Sequence, residues 1–275
     1  AGGRPLRLTC ATELEEVCRG LDADVSVADA PDTAEALSVV DAGDVGLDAW
    51  LVPDPWPAIV DETRQAANLP TLFPADLTPL ARSPLVLLGD PDDLADCGWR
   101  CLGEQVAADL RLGWRSPLGS SVGLLTLGAA ASGWFDGPDF ASNDFGEDGF
   151  DAWLSGLVEG ARPDRSPIGT SLVRPAEFPA AVSWEADAAA LIDEAAPDRL
   201  GGRELLYPEP VATLDAVLAS TAGETDLDVA EPIADALLEL GWRPADGDDR
   251  DPSLPATDGL PAAGVLIALR NEVGQ

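Results

Sequence analysis

The sequence predicts an α/β protein built on a mainly parallel sheet. Residues 6–54 alternate strand, helix, strand, helix, strand, which is the pattern of strands joined by helical crossovers. Residues 80–135 alternate again: a buried strand, helices, a short strand, a small-residue turn and an apolar helix. The chain has 275 residues and is 46% hydrophobic, enough for one large domain or two of ordinary size with real cores.

Each element follows from its local pattern. "LRLTC" (6–10) is a short buried strand. "ATELEEVCRGL" follows as a helix, with Thr12 as N-cap and Glu15 three residues on, the spacing of a capping box. "DVSVADA" is a second strand, and "DTAEALSVVDAG" a helix ended by Gly43. "LDAWLVPD" (47–54) is a third strand, running into the Pro-rich loop "PDPWP". "LARSPLVLLGD" (80–90) is a buried strand, and "PDDLADCGWRCLGEQVAADL" two helices broken at Gly98. "LRLGW" (110–114) is a strand, followed by "RSPLGSS" and the helix "VGLLTLGAAASGWF". Residues 136–149 read as a solvated loop, whose acids lack EF-hand spacing. "FDAWLSGLVEGA" (150–161) is a helix, and "SPIGTSLVRPAEF" (166–178) a turn and short helix ended by proline. "AAVSWEADAAALI" (180–192) starts as a strand and continues as a helix. "ELLYPEPVATLDAVLA" brings the chain back through a strand, and "EPIADALLELGWR" is a helix. An acidic linker at 245–259 precedes a last helix, "PAAGVLIALRNEVG".

Composition narrows the chemistry. The chain has no histidine and no lysine, so its 16 basic residues are all arginine. Gly119-x-Ser121-x-Gly123 has the spacing of a serine-hydrolase elbow. The Ser-His-Asp triad needs a base that titrates near neutrality, and none is present. Ser-x-x-Lys acyl transfer, Walker loops and Schiff-base chemistry each need a lysine. Histidine zinc sites fall away too. A carboxylate enzyme would need an Asp/Glu pair roughly 5–10 Å apart in a cleft, which a sequence does not display. By composition, an enzyme here would have to work with carboxylates, cysteine, tyrosine or a hard metal. The Gly-Ser turn reads instead as the start of an apolar helix, a place that holds an anion or a polar ligand.

The net charge of −34 makes a soluble surface and excludes nucleic acid and anionic membranes as partners. No apolar run reaches the roughly 20 residues of a membrane span. The start "AGGRPLRLTC" looks like a trimmed or mature form. Four cysteines fall in two local pairs, Cys10/Cys18 and Cys97/Cys101, neither with metal or redox spacing. An even count suggests disulfides and an oxidising compartment. The local pairing is favoured over the two cross-pairings, and four buried free thiols remain the alternative.

The order of segments resembles the type II periplasmic solute-binding proteins, the receptor components of ABC transporters, with molybdate-, sulfate- and phosphate-type binders nearest in pattern. "LDAWLVPD" is similar to their first-lobe strand entering the cleft, and "ARSPLVLLG" (81–89) to the first hinge strand. "LGWRSPLGSSVGLL" (112–125) is similar to the second-lobe strand-turn-helix that faces ligand. "SPIGTSLVRPAEFPAAVSWEADAA" (166–189) and "LLYPEP" (205–210) are similar to the segments that return to the hinge and to lobe one. The likeness spans about residues 1–220. The tail also resembles solute-binding-like domains fused to von Willebrand factor A domains in actinobacterial membrane proteins.

The resemblance implies a two-lobed fold, each lobe a mainly parallel sheet flanked by helices. Lobe I takes 1–82 plus 204–275, lobe II takes 83–203, and a ligand cleft and hinge lie between them. It implies ligand contacts at Thr12 and Glu13, Trp56, Ser83, Arg115, Ser116, Ser120 and Ser121, Thr170 and Ser171, and Trp184 and Glu185. Each has a plainer reading. The serines and Thr12 serve as helix caps, Trp56 as a packed aromatic, and Glu185 as one half of a salt bridge. Arg115 is the cation beside the serine turn and the residue to test for an anion. Glu13, Asp54 and Glu185 bring negative charge to the expected cleft, so cationic, zwitterionic and neutral solutes stand equally open. The resemblance implies extracellular solute capture for an ABC-type importer, by a protein that is not an enzyme and needs no cofactor. A degenerate, cell-surface sensor or protein-interaction module is the alternative. The expected partners are a small molecule and a membrane permease or a fused von Willebrand factor A-like domain, with membrane anchoring in the full-length protein.

Overall fold

Residues 49–53, Ala-Trp-Leu-Val-Pro, are buried at every position, as a strand with neighbours on both sides and cover on both faces must be. A computed structural model describes residues 5–41, 44–221, 228–245 and 259–274. Its elements run β1 (Arg7–Ala11), α1 (Glu15–Cys18), β2 (Asp24–Ala28), α2 (Ala30–Val39), β3 (Ala49–Pro53), α3 (Trp56–Ala66), β4 (Pro79–Gly89), α4 (Pro91–Leu94), α5 (Trp99–Ala107), β5 (Leu112–Trp114) and α6 (Ser121–Trp134). They continue α7 (Phe150–Gly160), β6 (Arg162–Pro163), α8 (Pro167–Val173), β7 (Ala180–Trp184), α9 (Glu185–Glu194), β8 (Glu204–Leu206), β9 (Thr213–Ser220), α10 (Ala230–Glu239), β10 (Arg243–Pro244) and α11 (Ala263–Val273). The chain divides into two compact units, 1–82 with 215–248, and 83–214 with 249–275.

In unit 1, β1 lies between β2 and β3 and is parallel to both, with Leu8 opposite Val25 and Ala49. β9 runs antiparallel to β3, pairing Trp50 with Ala219 and Pro53 with Ala216. β10 pairs with the start of β4 at Arg243 and Arg82. The parallel strands place their carboxyl ends at one edge, where Thr12, Asp29 and Asp54 follow β1, β2 and β3. Arg64 of α3 is completely buried and donates to the Leu37 and Val40 carbonyls at the end of α2, so a guanidinium closes that helix in place of a C-cap glycine. Gly43, expected to end the helix, lies outside the described residues.

In unit 2, β7 is antiparallel to β4 and parallel to β5, which is parallel to β6. β8 pairs antiparallel with β4. The helix α6 is buried from Ser121 to Ser132, the behaviour of a helix apolar on every face. Helices α5 and α7 bury Trp99, Leu102 and Val106, and Phe150, Trp153 and Leu157, at helical spacing.

Four expectations change. The helix read at 11–21 is a 3-10 turn, Thr12–Leu14, followed by the single turn α1. Thr12 is not its cap: Ala11 stands at the N-cap and makes no side-chain bond. Cys18 is bridged back to Cys10, which ties the short helix to the strand before it. The Pro-rich stretch read as a loop opens α3 at Trp56, because Pro57 at the second helical position gives up only a free N–H. The loop at 136–149 is not uniformly solvated. Phe140 stacks on Phe135 at 4.4 Å and Phe145 packs on Phe150 at 5.3 Å, while the acids between them stay exposed. Finally, the last helix, expected with lobe I, packs on unit 2. Leu266 and Leu269 are fully buried, and Leu266 fits over Gly128 of α6, where any Cβ would collide with it. The apolar α6 needs cover, and α11 supplies it. Of the acidic linker, 246–258 lie outside the described residues.

Candidate functional site

Within each unit, strand carboxyl ends gather most of the candidate residues. In unit 2, Arg115 and Ser116 follow β5, Asp164 follows β6, and Glu185 follows β7. The parallel register sets Trp114 opposite Pro163, and the Asp164 N–H donates to the Trp114 carbonyl at 2.8 Å. The segment after β5 turns back into α6. Ser120 is the N-cap: its hydroxyl accepts from the Gly123 N–H at 3.0 Å and donates to the Ser116 carbonyl at 3.1 Å. Gly123 must be glycine, because a Cβ would overlap the Arg115 and Ser116 carbonyls. Ser121 is fully buried in the first turn of α6. Arg115 is half-buried, and its Nε has no hydrogen-bond partner. A 14-residue helix with its positive end here favours an anion or polar oxygen.

The other expected contacts of unit 2 hold the framework together. Ser83 is fully buried, and its hydroxyl accepts from the Ala186 N–H at 3.1 Å, capping the first turn of α9. Ser171 is fully buried, donates to the Phe178 carbonyl at 2.7 Å and receives the Arg203 guanidinium. Thr170 donates to Asp164 at 3.1 Å, and the same carboxylate oxygen accepts from the Ser166 N–H at 2.7 Å. Trp184 is 5% exposed at the end of β7. Glu185 accepts a hydrogen bond from the Tyr207 hydroxyl at 2.5 Å. Sequence reading missed Asp164 and Tyr207 as partners, although Asp164 sits two residues before a Ser-Pro helix start, a usual place for a turn-forming Asp.

In unit 1, Thr12 is exposed in the turn after β1, with the half-buried Glu13 beside it. Trp56, expected as a stacking surface or lid, is fully buried in the first turn of α3, so its ring is part of the core. The unforeseen feature is a carboxyl pair. The Asp54 N–H donates to the Asp215 carbonyl at 2.8 Å, which sets the two aspartates side by side across β3 and β9. Burial first, and the Asp215 charge second, push Asp54 up to about 6. Asp215 is also raised by burial, while Arg82, 3.5 Å away, pulls it back. Asp215 sits in the apolar run "VATLDAVLAS", and that isolated charge within a strand was the available signal.

Both cysteine pairs are bonded locally, Cys10 to Cys18 and Cys97 to Cys101. Among the described residues no group of three or more His, Cys, Asp or Glu side chains is placed to hold a metal ion. No described helix is long and apolar enough to cross a membrane.

No family profile and no curated protein sequence matches the chain. Solved structures do. Iron-bound HitA from Pseudomonas aeruginosa aligns with a TM-score of 0.64 at 15% identity, over 99% of this chain and 100% of that one. Apo FutA2 from Synechocystis PCC6803 aligns at 0.61 and 16%, over 99% of each chain. The sulfate-binding protein SubI from Mycobacterium tuberculosis H37Rv aligns at 0.56 and 15%, over 93% of each. The chain has the α/β fold of the type II periplasmic solute-binding proteins.

Proposed function

We propose that this chain is an extracellular solute receptor, which captures a small polar solute and passes it to an ABC-type importer without chemical change. The observation that carries this reading is the edge of unit 2 where β5 ends. There Arg115, Ser116 and the start of α6 bring together a half-buried guanidinium whose Nε is buried without a partner, a hydroxyl and a helix dipole. The fold supports it, since neighbours of the same fold are named for iron and sulfate. Two disulfides fit an oxidising compartment.

One observation favours a second reading. The hydroxyls of Ser83, Ser120, Thr170 and Ser171 are all taken up by partners within the protein. A chain with this fold and committed hydroxyls would serve as a protein-interaction module at the cell surface. Thermal unfolding against a panel of oxyanions, amino acids, polyamines, sugars, thiamine and ferric citrate separates the two. A solute at a hundred times its dissociation constant stabilises the native state by about 2.7 kcal/mol, a rise of several degrees. A selective rise that Arg115→Ala abolishes establishes the receptor. A flat response to every class would leave the interaction module.

A further inference from the structure

The carboxyl pair of unit 1 is no part of the proposed solute edge at β5, and it stands where the chain leaves and re-enters that unit. Arg82 is the last residue before the exit and Asp215 the first after the return. Among the described residues, the charged groups set near the pair come from neighbouring strands and their ends. Asp54 follows β3, Asp215 lies in β9, Arg82 in β4, and Arg243 of β10 stands opposite Arg82 in the strand register. Glu13 follows β1 at the same sheet edge. Asp215 Oδ2 meets Arg82 Nη2 at 3.5 Å, while Asp215 Oδ1 and Arg82 Nε are buried without a partner. Among the described residues no cation pairs with Asp54.

We propose that Asp54 holds a proton beside Asp215, and that loss of this proton loosens the tie between β3, β9 and the start of β4 within unit 1, which makes the pair a proton-operated switch. While the pair is protonated, Asp54 is neutral and Asp215 keeps Arg82 to itself. When the proton leaves, two half-buried negative charges stand side by side, and the one guanidinium beside them reaches Asp215. Burial and the neighbouring charge hold Asp54 at about 6, against 3.8 unperturbed. The sign follows. At pH values below the unperturbed figure, folded and unfolded chains are both protonated here, and the pair costs nothing. As pH rises towards the folded value, the unfolded chain releases its proton first, so the folded state loses ground. Above about 6 the loss is complete, on the order of a hundredfold in the folding equilibrium.

The test is a carbon-detected NMR titration of the aspartate carboxyls in the intact chain, in Asp54→Asn and in Asp215→Asn, with urea unfolding of the same proteins from about pH 4 to about pH 7.5. The wild type should show one carboxyl titrating near 6, absent in Asp54→Asn and lowered towards the ordinary range in Asp215→Asn. The folding equilibrium of Asp54→Asn relative to wild type should rise by up to about a hundredfold across that pH range. Ordinary titration of every aspartate, a constant ratio between the two proteins, or an Asp54 titration untouched by Asp215→Asn would each overturn the proposal. No solute enters the experiment, so its failure leaves the receptor reading intact.

Discussion

Reducing both disulfides is expected to lower the stability of the native chain by about 4–5 kcal/mol. The bridges are short in sequence, with separations of 8 and 4 residues. Chain entropy assigns about 2.5 kcal/mol to the first and about 2 kcal/mol to the second. Set against a typical total of roughly 5–15 kcal/mol, that is a large fraction. The first bridge holds α1 against β1, and a four-residue helix has little else to keep it folded. The second ties Cys97 to the first turn of α5, whose Trp99 and Leu102 are core residues. Cys10, Cys18 and Cys97 are all nearly inaccessible, so reduction should require opening of the native structure. Urea unfolding with and without a phosphine reductant measures the difference. A change below about 1 kcal/mol would show that packing alone holds these segments.

Gly123→Ala is the point substitution expected to do most damage to the proposed solute edge, costing about 2–4 kcal/mol. Two losses add. A methyl group at 123 would overlap the Arg115 and Ser116 carbonyls, so the turn must move. Movement also breaks the bond from the Gly123 N–H to Ser120, which is the cap of α6. Ser120→Ala removes the cap alone, and about 1 kcal/mol is expected. The difference between the two variants isolates the backbone contact. Chemical denaturation measures both, and equal costs would mean that the turn relaxes around the methyl group. If the receptor reading holds, Gly123→Ala also loses any solute-induced rise in melting temperature, because the amides at the helix start are displaced.

Much of the fold is legible in the sequence for a physical reason: strands buried on both faces are continuous apolar runs, and "AWLVP", "SPLVLLG" and "AAVSW" are such runs. The helices at 121–134 and 150–160 were legible from composition and period. What was hidden is non-local. Nothing near α11 tells that its leucines cover Gly128 of α6. The antiparallel pairing of β9 with β3 depends on which neighbour the returning strand finds. Proline density around Trp56 masked α3, since the same residues serve a loop or a first helical turn. Candidate site residues were legible as types but not as roles. Ser83, Ser120 and Ser171 are alike in sequence, and only their partners show them to be caps and struts. Asp215 is legible as an isolated charge in an apolar strand, but its neighbour Asp54 shows only in the pairing of β9 with β3.

The central claim is that the end of β5 and the start of α6 receive a solute. Amide hydrogen exchange of the intact chain, with and without each solute class, tests it most directly. The account predicts slowed exchange at residues 115–123 with one class of solute, reversed by Arg115→Ala. Unchanged exchange across that segment with every class, or slowing confined to other segments, would contradict it.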